Sequence, residues 1–326
     1  MVHRLRVAEV IAETADAHSL VLTVPPALAA EFAYRPGQYL TVMVPHNGGN
    51  VSRCYSLSSS PHTDADLKIT VKRVRDGQAS NWICDHVQAG GTLDLLPPAG
   101  EFTPASLDDD LLLLAGGSGI TPGMGIIKSV LAHGRGRVAL VYANRDEQSV
   151  IFAAELAELA GRHGDRLSVT HWLDSERGAP DATAIAALLE GNDRGDAYVC
   201  GPEPFVAVAR DALRKAGVPP DRVHVERFEV EQEKSMDATL EVEIDGQTHR
   251  LPWPAGSRML DVIIGAGLNP PFSCRQGHCG ACALRMLRGQ VDLVNNEILE
   301  QEDFDEGYIL ACQALARSDE VAVTYY

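Results

Sequence analysis

The spacing of apolar and polar residues changes twice along the chain, near residues 105 and 236. Before residue 105, short runs rich in Val, Leu, Tyr and Thr are separated by Pro–Pro, Pro–Gly and Gly–Gly pairs, a pattern typical of strands joined by turns. Six such strands predict an antiparallel β-barrel, interrupted by one helix at 80–87. The predicted strands are 5–11, 19–24, 38–44, 54–58, 67–74 and 92–96.

Strands and helices alternate in the next part of the chain. Residues 111–115 form a continuous apolar run, as expected for a strand that is buried on both faces. The alternation predicts a doubly wound α/β domain with a parallel sheet. Further strands are predicted at 138–142, 167–173, 197–200 and 223–228, with helices that begin near Pro122, Ser149, Asp181 and Pro204.

A polar segment without a clear period, 230–236, predicts a linker. Beyond it, the segments 239–244 and 247–251 flank Asp245-Gly246, a strong hairpin signal, and a helix is predicted at 259–266. These elements indicate a small α+β domain. The predicted domains are therefore 1–105, 106–229 and 237–326, with 230–236 between the last two.

Four cysteines in the third domain follow a recognisable spacing. Cys274, Cys279 and Cys282 form a C-x4-C-x2-C loop, and Cys312 follows later in the chain. This is the spacing of plant-type [2Fe–2S] proteins, and it fits a ferredoxin-like β-grasp domain. The loop contains two glycines that would allow the tight turns needed to point N–H groups at sulfur, Gly277 and Gly280. A zinc site usually shows two short cysteine pairs, and disulfides fit poorly with a chain that lacks a secretory signal.

Composition and charge narrow the class of protein. A chain of 326 residues with 45% hydrophobic residues suits two or three folded domains, and its net charge of −17 argues against a nucleic-acid partner. No apolar run approaches the length of a membrane span, and the first residues lack the apolar core of a signal peptide. We therefore expect a cytoplasmic protein.

The third domain carries much of this negative charge. From residue 237 onward, fourteen Asp and Glu stand against six Arg and no Lys, a net charge of −8. Such a surface can simply favour solubility, or it can form a docking face for an electron acceptor that it attracts electrostatically.

Two motifs in the first domain suit a nucleotide-linked flavin. In the segment Arg53-Cys54-Tyr55-Ser56, strand alternation places Arg53 and Tyr55 on the same face. Arginine can bind phosphate through two parallel hydrogen bonds, and tyrosine can stack on a flat ring, although such a pair is often ordinary surface. Gly77-x-x-Ser80 opens the predicted helix, and a helix N-terminus is favourable for an anion.

Two motifs in the second domain suit a pyridine nucleotide. A glycine-rich segment follows the buried strand directly and opens a helix, the context in which such a loop holds a pyrophosphate; a purely structural turn is the alternative. This segment contains Gly116, Gly117, Gly119, Thr121 and Pro122. Cys200 and Gly201 end another strand, where ligands bind in parallel sheets. Cys200 could lie against a nicotinamide, for which Gly201 leaves room, or it is a buried unreactive thiol.

The motifs and their order resemble the ferredoxin–NADP⁺ reductase superfamily, with a plant-type ferredoxin domain fused at the C-terminus. Within that superfamily the sequence is similar to the reductase components of 3-ketosteroid 9α-hydroxylases, which act in bacterial steroid degradation. The similar stretches are 53–61, 79–85, 142–145 and 271–282.

The resemblance implies roles for individual residues. Arg53 and Ser80 would hold the flavin pyrophosphate, Tyr55 would pack on the isoalloxazine ring, and Ser56 would approach its reactive nitrogen. The flavin is expected to be FAD, although some relatives with the same cluster use FMN.

The resemblance extends to the nicotinamide site. Thr121 and Cys200 would line it, and Glu226 and Phe228 would lie close to the flavin. The residues implied to act directly in hydride transfer are Tyr55, Ser56 and Cys200.

The function expected is that of an electron-splitting reductase. Nicotinamide gives two electrons as a hydride, an iron–sulfur cluster takes one, and a flavin can connect the two. We expect electrons to pass from NADH through FAD and the cluster to a terminal Rieske-type oxygenase, one that acts on a steroid. The alternatives are the reductase of an aromatic-ring, phenylacetyl-CoA or alkane oxygenase and, in another class, a redox-sensing or electron-carrier protein.

The choice between NADH and NADPH depends on the segment that follows the second strand of the α/β domain. Arg145 could bind a 2′-phosphate, whereas Asp146 and Glu147 would repel it. The resemblance favours NADH, with NADPH as the alternative.

Overall fold

A computed structural model of the chain describes residues 2–46, 49–75, 77–189, 191, 195–228, 236–273, 275, 277, 279–296 and 298–325. The chain forms two compact units. One unit contains Met1–Val44 and Arg53–Glu229, and the other contains Pro45–Ser52 and Val230–Tyr326. None of the helices in the described ranges is both long enough and apolar enough to cross a membrane.

In the described part of the chain before residue 100, six strands form one sheet in the order β4-β3-β6-β1-β2-β5. Leu57, which follows β4, bridges Ile69 in β5, so the two edge strands meet and the predicted barrel is confirmed. Its interior is apolar because inward-facing side chains such as Leu5, Leu20 and Leu40 are fully buried. The strands are β1 (His3–Thr14), β2 (Ala17–Thr23), β3 (Tyr39–His46), β4 (Gly49–Ser56), β5 (Leu67–Lys72) and β6 (Thr92–Leu95).

One helix, α1 (Gln78–His86), lies between β5 and β6. It begins two residues before the predicted start at Ser80, because Gly77 has the extended conformation of a helix N-cap (φ −71°, ψ 126°). Ser80 therefore lies within the first turn of α1 and not at its boundary.

The described residues from 111 to 227 form a parallel sheet of five strands in the order β11-β10-β7-β8-β9. The central strand is buried along its whole length, as its apolar run predicts. The strands are β7 (Leu111–Gly116), β8 (Val138–Asn144), β9 (Leu167–Leu173), β10 (Asp196–Gly201) and β11 (Val223–Arg227).

Helices cover both faces of this sheet, which confirms the doubly wound architecture. Leu111 and Leu113 pack in one apolar core with residues of α2 and α3, whereas Leu112 and Leu114 pack in a second core with residues of α5 and α6. Alternation along β7 thus supplies both cores. The helices are α2 (Ile120–His133), α3 (Ala153–Arg162), α4 (Asp174–Arg177), α5 (Ala182–Leu188) and α6 (Glu203–Lys215).

Two helix starts differ from the predictions. The first, α2, begins at Ile120 and not near Pro122, because residues 117–119 already form a helical turn. The second, α3, begins at Ala153 and not near Ser149. Here Asp146 caps a separate short turn at Glu147–Ser149, and Phe152 then has a left-handed conformation (φ 61°).

The second unit contains a mixed five-stranded sheet, within its described residues, in the order β13-β12-β18-β14-β16. Its core includes Trp253, Met259 and Ile263, and the buried thiols of Cys282 and Cys312 belong to the same core. The predicted hairpin is confirmed, since Asp245 and Gly246 both have positive φ (52° and 71°). The elements are β12 (Ala238–Ile244), β13 (Gln247–Trp253), α7 (Met259–Gly265), β14 (Ala283–Arg288), β15 (Val291–Leu293), α8 (Gln301–Asp305), β16 (Tyr308–Leu310), β17 (Ala314–Ala316) and β18 (Glu320–Thr324).

The strands after the cysteine loop were not anticipated from the sequence. Most are short, and β15 pairs with β17 as a separate two-stranded sheet. Of the predicted linker, residues 230–235 lie outside the described ranges.

Candidate functional site

The end of β4 carries three of the predicted site residues. Arg53 and Tyr55 are half-buried, and Ser56 is buried. Desolvation raises the pKa of the Tyr55 phenol above its usual range, and the nearby Arg53 guanidinium opposes this shift. Tyr55 is therefore a neutral aromatic surface beside a cation at the end of a barrel strand.

The structure brings Ser56, Glu226 and Cys200 together, although they are far apart in the sequence. Ser56 Oγ donates a hydrogen bond to Glu226 Oε2 at 3.1 Å, and Cys200 Sγ lies 4.0 Å from the same oxygen. Parallel pairing of β10 with β11 places Cys200 directly beside Glu226. Phe228, just beyond β11, packs on the core that contains Cys200.

Two side chains of this cluster, Glu226 and Cys200, have raised pKa values. Desolvation raises the pKa of the Glu226 carboxyl group to about 7, while the hydrogen bond from Ser56 opposes the shift. Burial also raises the pKa of the Cys200 thiol, and the neighbouring Glu226 adds to this effect. Near neutral pH the Glu226 carboxyl group is therefore close to half-protonated, and its Oε2 accepts the hydrogen bond from Ser56.

The glycine-rich segment lies against the end of β10. A Cβ atom at Gly119 would stand only 2.1 Å from the carbonyl oxygen of Cys200, so this close approach requires glycine. Thr121 is buried, and its Oγ1 donates to the carbonyl oxygen of Ser118 at 3.0 Å. Gly116 and Gly117 join β7 to this turn, and Pro122 is buried in the first turn of α2. The turn, the start of α2 and Cys200-Gly201 thus border the same edge of the sheet.

Ser80 is buried in the first turn of α1. Its Oγ accepts a hydrogen bond from the backbone N–H of Val74 at 3.2 Å. The first-turn N–H groups of α1 lie on the same helix end. The Gly77–Ser80 segment therefore has the arrangement that an anion-binding helix start requires.

Sequence reasoning did not identify Lys72 and Asp16. Lys72 Nζ lies 3.7 Å from the position that a Cβ atom on Gly117 would take, so a cation lies against the glycine-rich turn. Asp16 Oδ2 is 3.9 Å from Lys72 Nζ and 3.2 Å from Arg145 Nη2. Desolvation lowers the pKa of Lys72, partly offset by Asp16. No motif marks these residues, because folding alone brings β5 and the β1–β2 turn to this edge.

Arg145 and Asp146 are both engaged within the protein. Besides its ion pair with Asp16, Arg145 Nη2 lies 3.4 Å from Ser149 Oγ. The Asp146 carboxylate accepts a hydrogen bond from the backbone N–H of Ser149 at 2.9 Å. Arg145 is thus already neutralised by a carboxylate, and Asp146 faces its own turn.

The predicted cluster ligands lie in the second unit. Cys282 and Cys312 are buried and Cys279 is exposed, whereas Cys274 lies outside the described residues. Among the residues that are described, no three His, Cys, Asp or Glu side chains form a group that could hold a metal ion. Because Cys274 lies outside the described residues, the set of four ligands stays a prediction.

The surroundings of Cys312 nevertheless fit a thiolate ligand. A hydrogen bond with Cys282 lowers the pKa of the Cys312 thiol to about 6, with smaller contributions from Gln313, the Gly277 N–H group and Arg258 that together outweigh desolvation. Gly277 has φ +85°, and a Cβ atom there would stand 2.8 Å from the carbonyl oxygen of Asn295. Glycine therefore allows the loop to direct its N–H group at sulfur, as iron–sulfur sites require.

Three protein-family models match successive parts of the chain. The oxidoreductase FAD-binding domain matches residues 4–103, the oxidoreductase NAD-binding domain residues 113–211, and the 2Fe-2S iron-sulfur cluster binding domain residues 242–317. The order of these domains is the one that the motifs predict.

Similar proteins extend over almost the whole chain. It is 51% identical over 339 residues to the ferredoxin reductase component of 3-ketosteroid-9-alpha-monooxygenase from Mycolicibacterium smegmatis, covering 98% of this chain and 96% of that protein. It is 31% identical over 348 residues to one subunit of the 1,2-phenylacetyl-CoA epoxidase from Escherichia coli, covering 99% of this chain and 97% of that protein. Phthalate dioxygenase reductase, solved as a modular structure for electron transfer from pyridine nucleotides to [2Fe-2S], superposes with a TM-score of 0.76 at 25% identity, covering 99% and 98% of the two chains.

Proposed function

We propose that this chain oxidises NADH and delivers single electrons to a Rieske-type oxygenase that acts on a steroid. The chain belongs to the family of ferredoxin reductase components of 3-ketosteroid-9-alpha-monooxygenases. The observation that carries the proposal is the convergence of Ser56, Cys200 and Glu226 where a barrel strand meets the carboxyl edge of the parallel sheet. When bound, FAD would supply the conversion of an electron pair into single electrons, and the [2Fe–2S] cluster would supply the one-electron outlet.

Arg53, Tyr55 and Ser80 would hold the flavin. The Arg53 guanidinium and the first turn of α1 at Ser80 would bind its pyrophosphate, because both present hydrogen-bond donors suited to an anion. The half-buried, neutral ring of Tyr55 would pack on the isoalloxazine. Gly77 leaves room for the Ser80 hydroxyl group, since a Cβ atom at Gly77 would stand 2.6 Å from Ser80 Oγ.

Ser56 and Glu226 would govern the proton at the flavin. Ser56 would face the flavin, and its hydroxyl group donates a hydrogen bond to Glu226, whose pKa of about 7 would allow this carboxyl group to take or give a proton near neutral pH. The buried Cys200 and Thr121 side chains would line the nicotinamide site. The room predicted at Gly201 is taken up within the protein, because a Cβ atom there would stand 2.9 Å from the Phe205 ring and 3.0 Å from the backbone nitrogen of Gly116. Phe228 closes the apolar side of the same region.

The glycine-rich turn would bind the pyridine-nucleotide pyrophosphate. Gly116, Gly117 and Gly119 bring backbone N–H groups to the start of α2, and Lys72 adds a positive charge beside them. The ion pair between Arg145 and Asp16 favours NADH, because a 2′-phosphate would have to displace that carboxylate.

The acidic third domain would dock the oxygenase. Ile298 is 46% exposed and packs 3.6 Å from the position of a Cβ atom on Gly280, beside Cys279, and Phe304 is 37% exposed on α8. Five acidic residues lie on α8 or within one residue of its ends, close in the chain to Ile298 and Phe304: Glu300, Glu302, Asp303, Asp305 and Glu306. The surface suits an acceptor with an apolar centre and a basic rim.

We also propose the domain boundaries at 105/106 and on either side of 230–236, and a cytoplasmic location. The family-model limits of 4–103, 113–211 and 242–317 support the boundaries. The second candidate function is that of a reductase for another oxygenase. It is supported by the similarity to the phenylacetyl-CoA epoxidase subunit, although the 31% identity to that subunit is lower than the 51% identity to the steroid monooxygenase component.

Reconstitution with purified oxygenases tests the proposal. The holoenzyme and NADH are mixed with a 3-ketosteroid 9α-oxygenase component or, separately, with the partner proteins of a phenylacetyl-CoA epoxidase, and each hydroxylated or epoxidised product is quantified. We expect NADH-dependent product with the steroid oxygenase. Product only with the epoxidase, or NADH oxidation that yields neither product, would contradict the proposed partner.

A further inference from the structure

The side chain of Gln313, immediately after Cys312, connects three parts of the second unit. It is 3% exposed. Its Nε2 donates to the carbonyl oxygen of Arg275, in the cysteine loop, at 2.8 Å and to Cys312 Sγ at 3.4 Å. Its Oε1 accepts a hydrogen bond from Arg258 Nη1 at 2.6 Å. One buried amide thus contacts a predicted ligand sulfur, the backbone of the loop and a cation.

The orientation of this amide is determined by its partners. Arg258 Nη1 also lies 3.3 Å from the carbonyl oxygen of Cys312, so the guanidinium is anchored on the same turn. Reversing the amide would place its oxygen against another carbonyl oxygen and a sulfur, and its NH₂ group against a cation. The backbone of Gln313 is also fixed, since its N–H donates to Leu310 and its carbonyl oxygen accepts from Val294. The Gln313 amide donor is therefore held on Cys312 Sγ by Arg258 and by the fixed backbone of Gln313, in addition to the loop carbonyl of Arg275.

We propose that Gln313, oriented by Arg258, is a positioning residue that raises the reduction potential of the cluster held by Cys274, Cys279, Cys282 and Cys312. Reduction adds one negative charge to a centre whose sulfur atoms carry much of the charge. Hydrogen bonds to sulfur and a nearby cation therefore stabilise the reduced state more than the oxidised state. This inference rests on the proposed cluster site and adds a specific determinant of its potential.

Potentiometric titration of the holoenzyme, followed by visible absorbance and by electron paramagnetic resonance of the reduced cluster, tests the inference. Gln313→Met keeps an unbranched side chain of similar length but removes both amide contacts. We expect the equilibrium constant for reduction of the cluster to be about tenfold smaller, which corresponds to a reduction potential about 59 mV more negative for one electron. We also expect a changed resonance signal. Arg258→Gln should shift the potential in the same direction, because it removes the cation and releases the amide.

Two further variants separate this role from a merely structural one. Gln313→Glu retains the acceptor for Arg258 but replaces the donor with a charge, so we expect it to lower the potential more than Gln313→Met. Gln247→Glu makes the same chemical change at an exposed position at the start of β13 and should leave the potential unchanged. The double variant Arg258→Gln with Gln313→Met should shift the potential by less than the sum of the single shifts, since both act through one donor.

The outcomes distinguish this inference from the proposed function. Absence of a cluster in the wild-type protein overturns the proposed function itself. A wild-type cluster whose potential and resonance signal are unchanged by Gln313→Met overturns only the role of Gln313. If the Gln313 variants fail to assemble a cluster, Arg258→Gln decides, and an unchanged potential in that variant overturns the inference.

Discussion

The wild-type protein should become less stable as the pH rises because of Glu226, and replacing Glu226 by Gln should abolish this decrease. Desolvation raises the pKa of this carboxyl group from 4.5 to about 7 in the folded chain, whereas the unfolded chain exposes it to water. Below pH 4.5 the group is protonated in both states. Between pH 4.5 and 7 the folded chain retains a proton that the unfolded chain releases, so the free energy of unfolding falls as the pH rises.

The size of this effect follows from the pKa difference. A shift from 4.5 to about 7 corresponds to about 3 kcal/mol, since each pKa unit is worth about 1.4 kcal/mol. Nearly the whole effect should be present at about pH 8. The glutamine side chain of the variant cannot ionise and still accepts the hydrogen bond from Ser56, so Glu226→Gln should lack this decrease.

Urea unfolding at about pH 5 and pH 8 measures this pH dependence of the free energy of unfolding. The protein should be free of flavin, because bound ligands would add their own pH dependence. We expect the variant to gain about 2.5 kcal/mol relative to wild type between these pH values, because part of the effect is already present at about pH 5. Glu9→Gln, at an exposed position on β1, is the matched control and should follow wild type. Equal pH slopes for wild type and Glu226→Gln would refute the conclusion that the carboxyl group is desolvated by the fold.

Three further predictions concern the proposed sites. Arg53→Ala should weaken flavin binding by about 3 kcal/mol or more, roughly 100-fold, because two hydrogen bonds to a charged group are lost; retention of native flavin content after gel filtration would contradict it. Cys274→Ser should abolish the visible and paramagnetic signals of the cluster while NADH-to-ferricyanide activity persists, since the flavin can reduce a small acceptor directly. Loss of that activity in a folded protein would refute the modular scheme. The double variant Glu302→Gln with Asp305→Asn should raise the KM for the oxygenase several-fold at low salt and flatten the salt dependence of this KM. The exposed control Asp319→Asn should change neither. Equal effects of both variants would rule out a specific docking face.

The fold was predictable wherever one local pattern decided the structure. The apolar run at Leu111–Gly116 could be stable only as a strand covered on both sides, and Asp245-Gly246 could hardly be other than a hairpin. The start of α3 was misplaced because Asp146 caps a separate turn before Phe152. The short strands after Cys282 carry too few residues for alternation to identify them.

The electrostatics of the site could not be predicted from local sequence. Ser56 and Glu226 are 170 residues apart, and their hydrogen bond exists only because the barrel packs on the parallel sheet. The sequence shows that Ser56 lies in a motif, but not that its partner has a pKa of about 7. Desolvation depends on every element that surrounds a group, so no spacing rule contains it.

Each site therefore combines a local motif with residues supplied by folding. The motif provides the groups that touch the cofactor, as Arg53 or the cysteine loop would. The residues supplied by folding provide hydrogen-bond partners and charge, as Glu226 does for Ser56 and Arg258 does for Gln313. It follows that substitutions in the motifs should remove a cofactor, whereas substitutions of the supporting residues should leave it bound and shift a pH dependence or a potential. A supporting variant that loses its cofactor, with the fold intact, would contradict this division of roles.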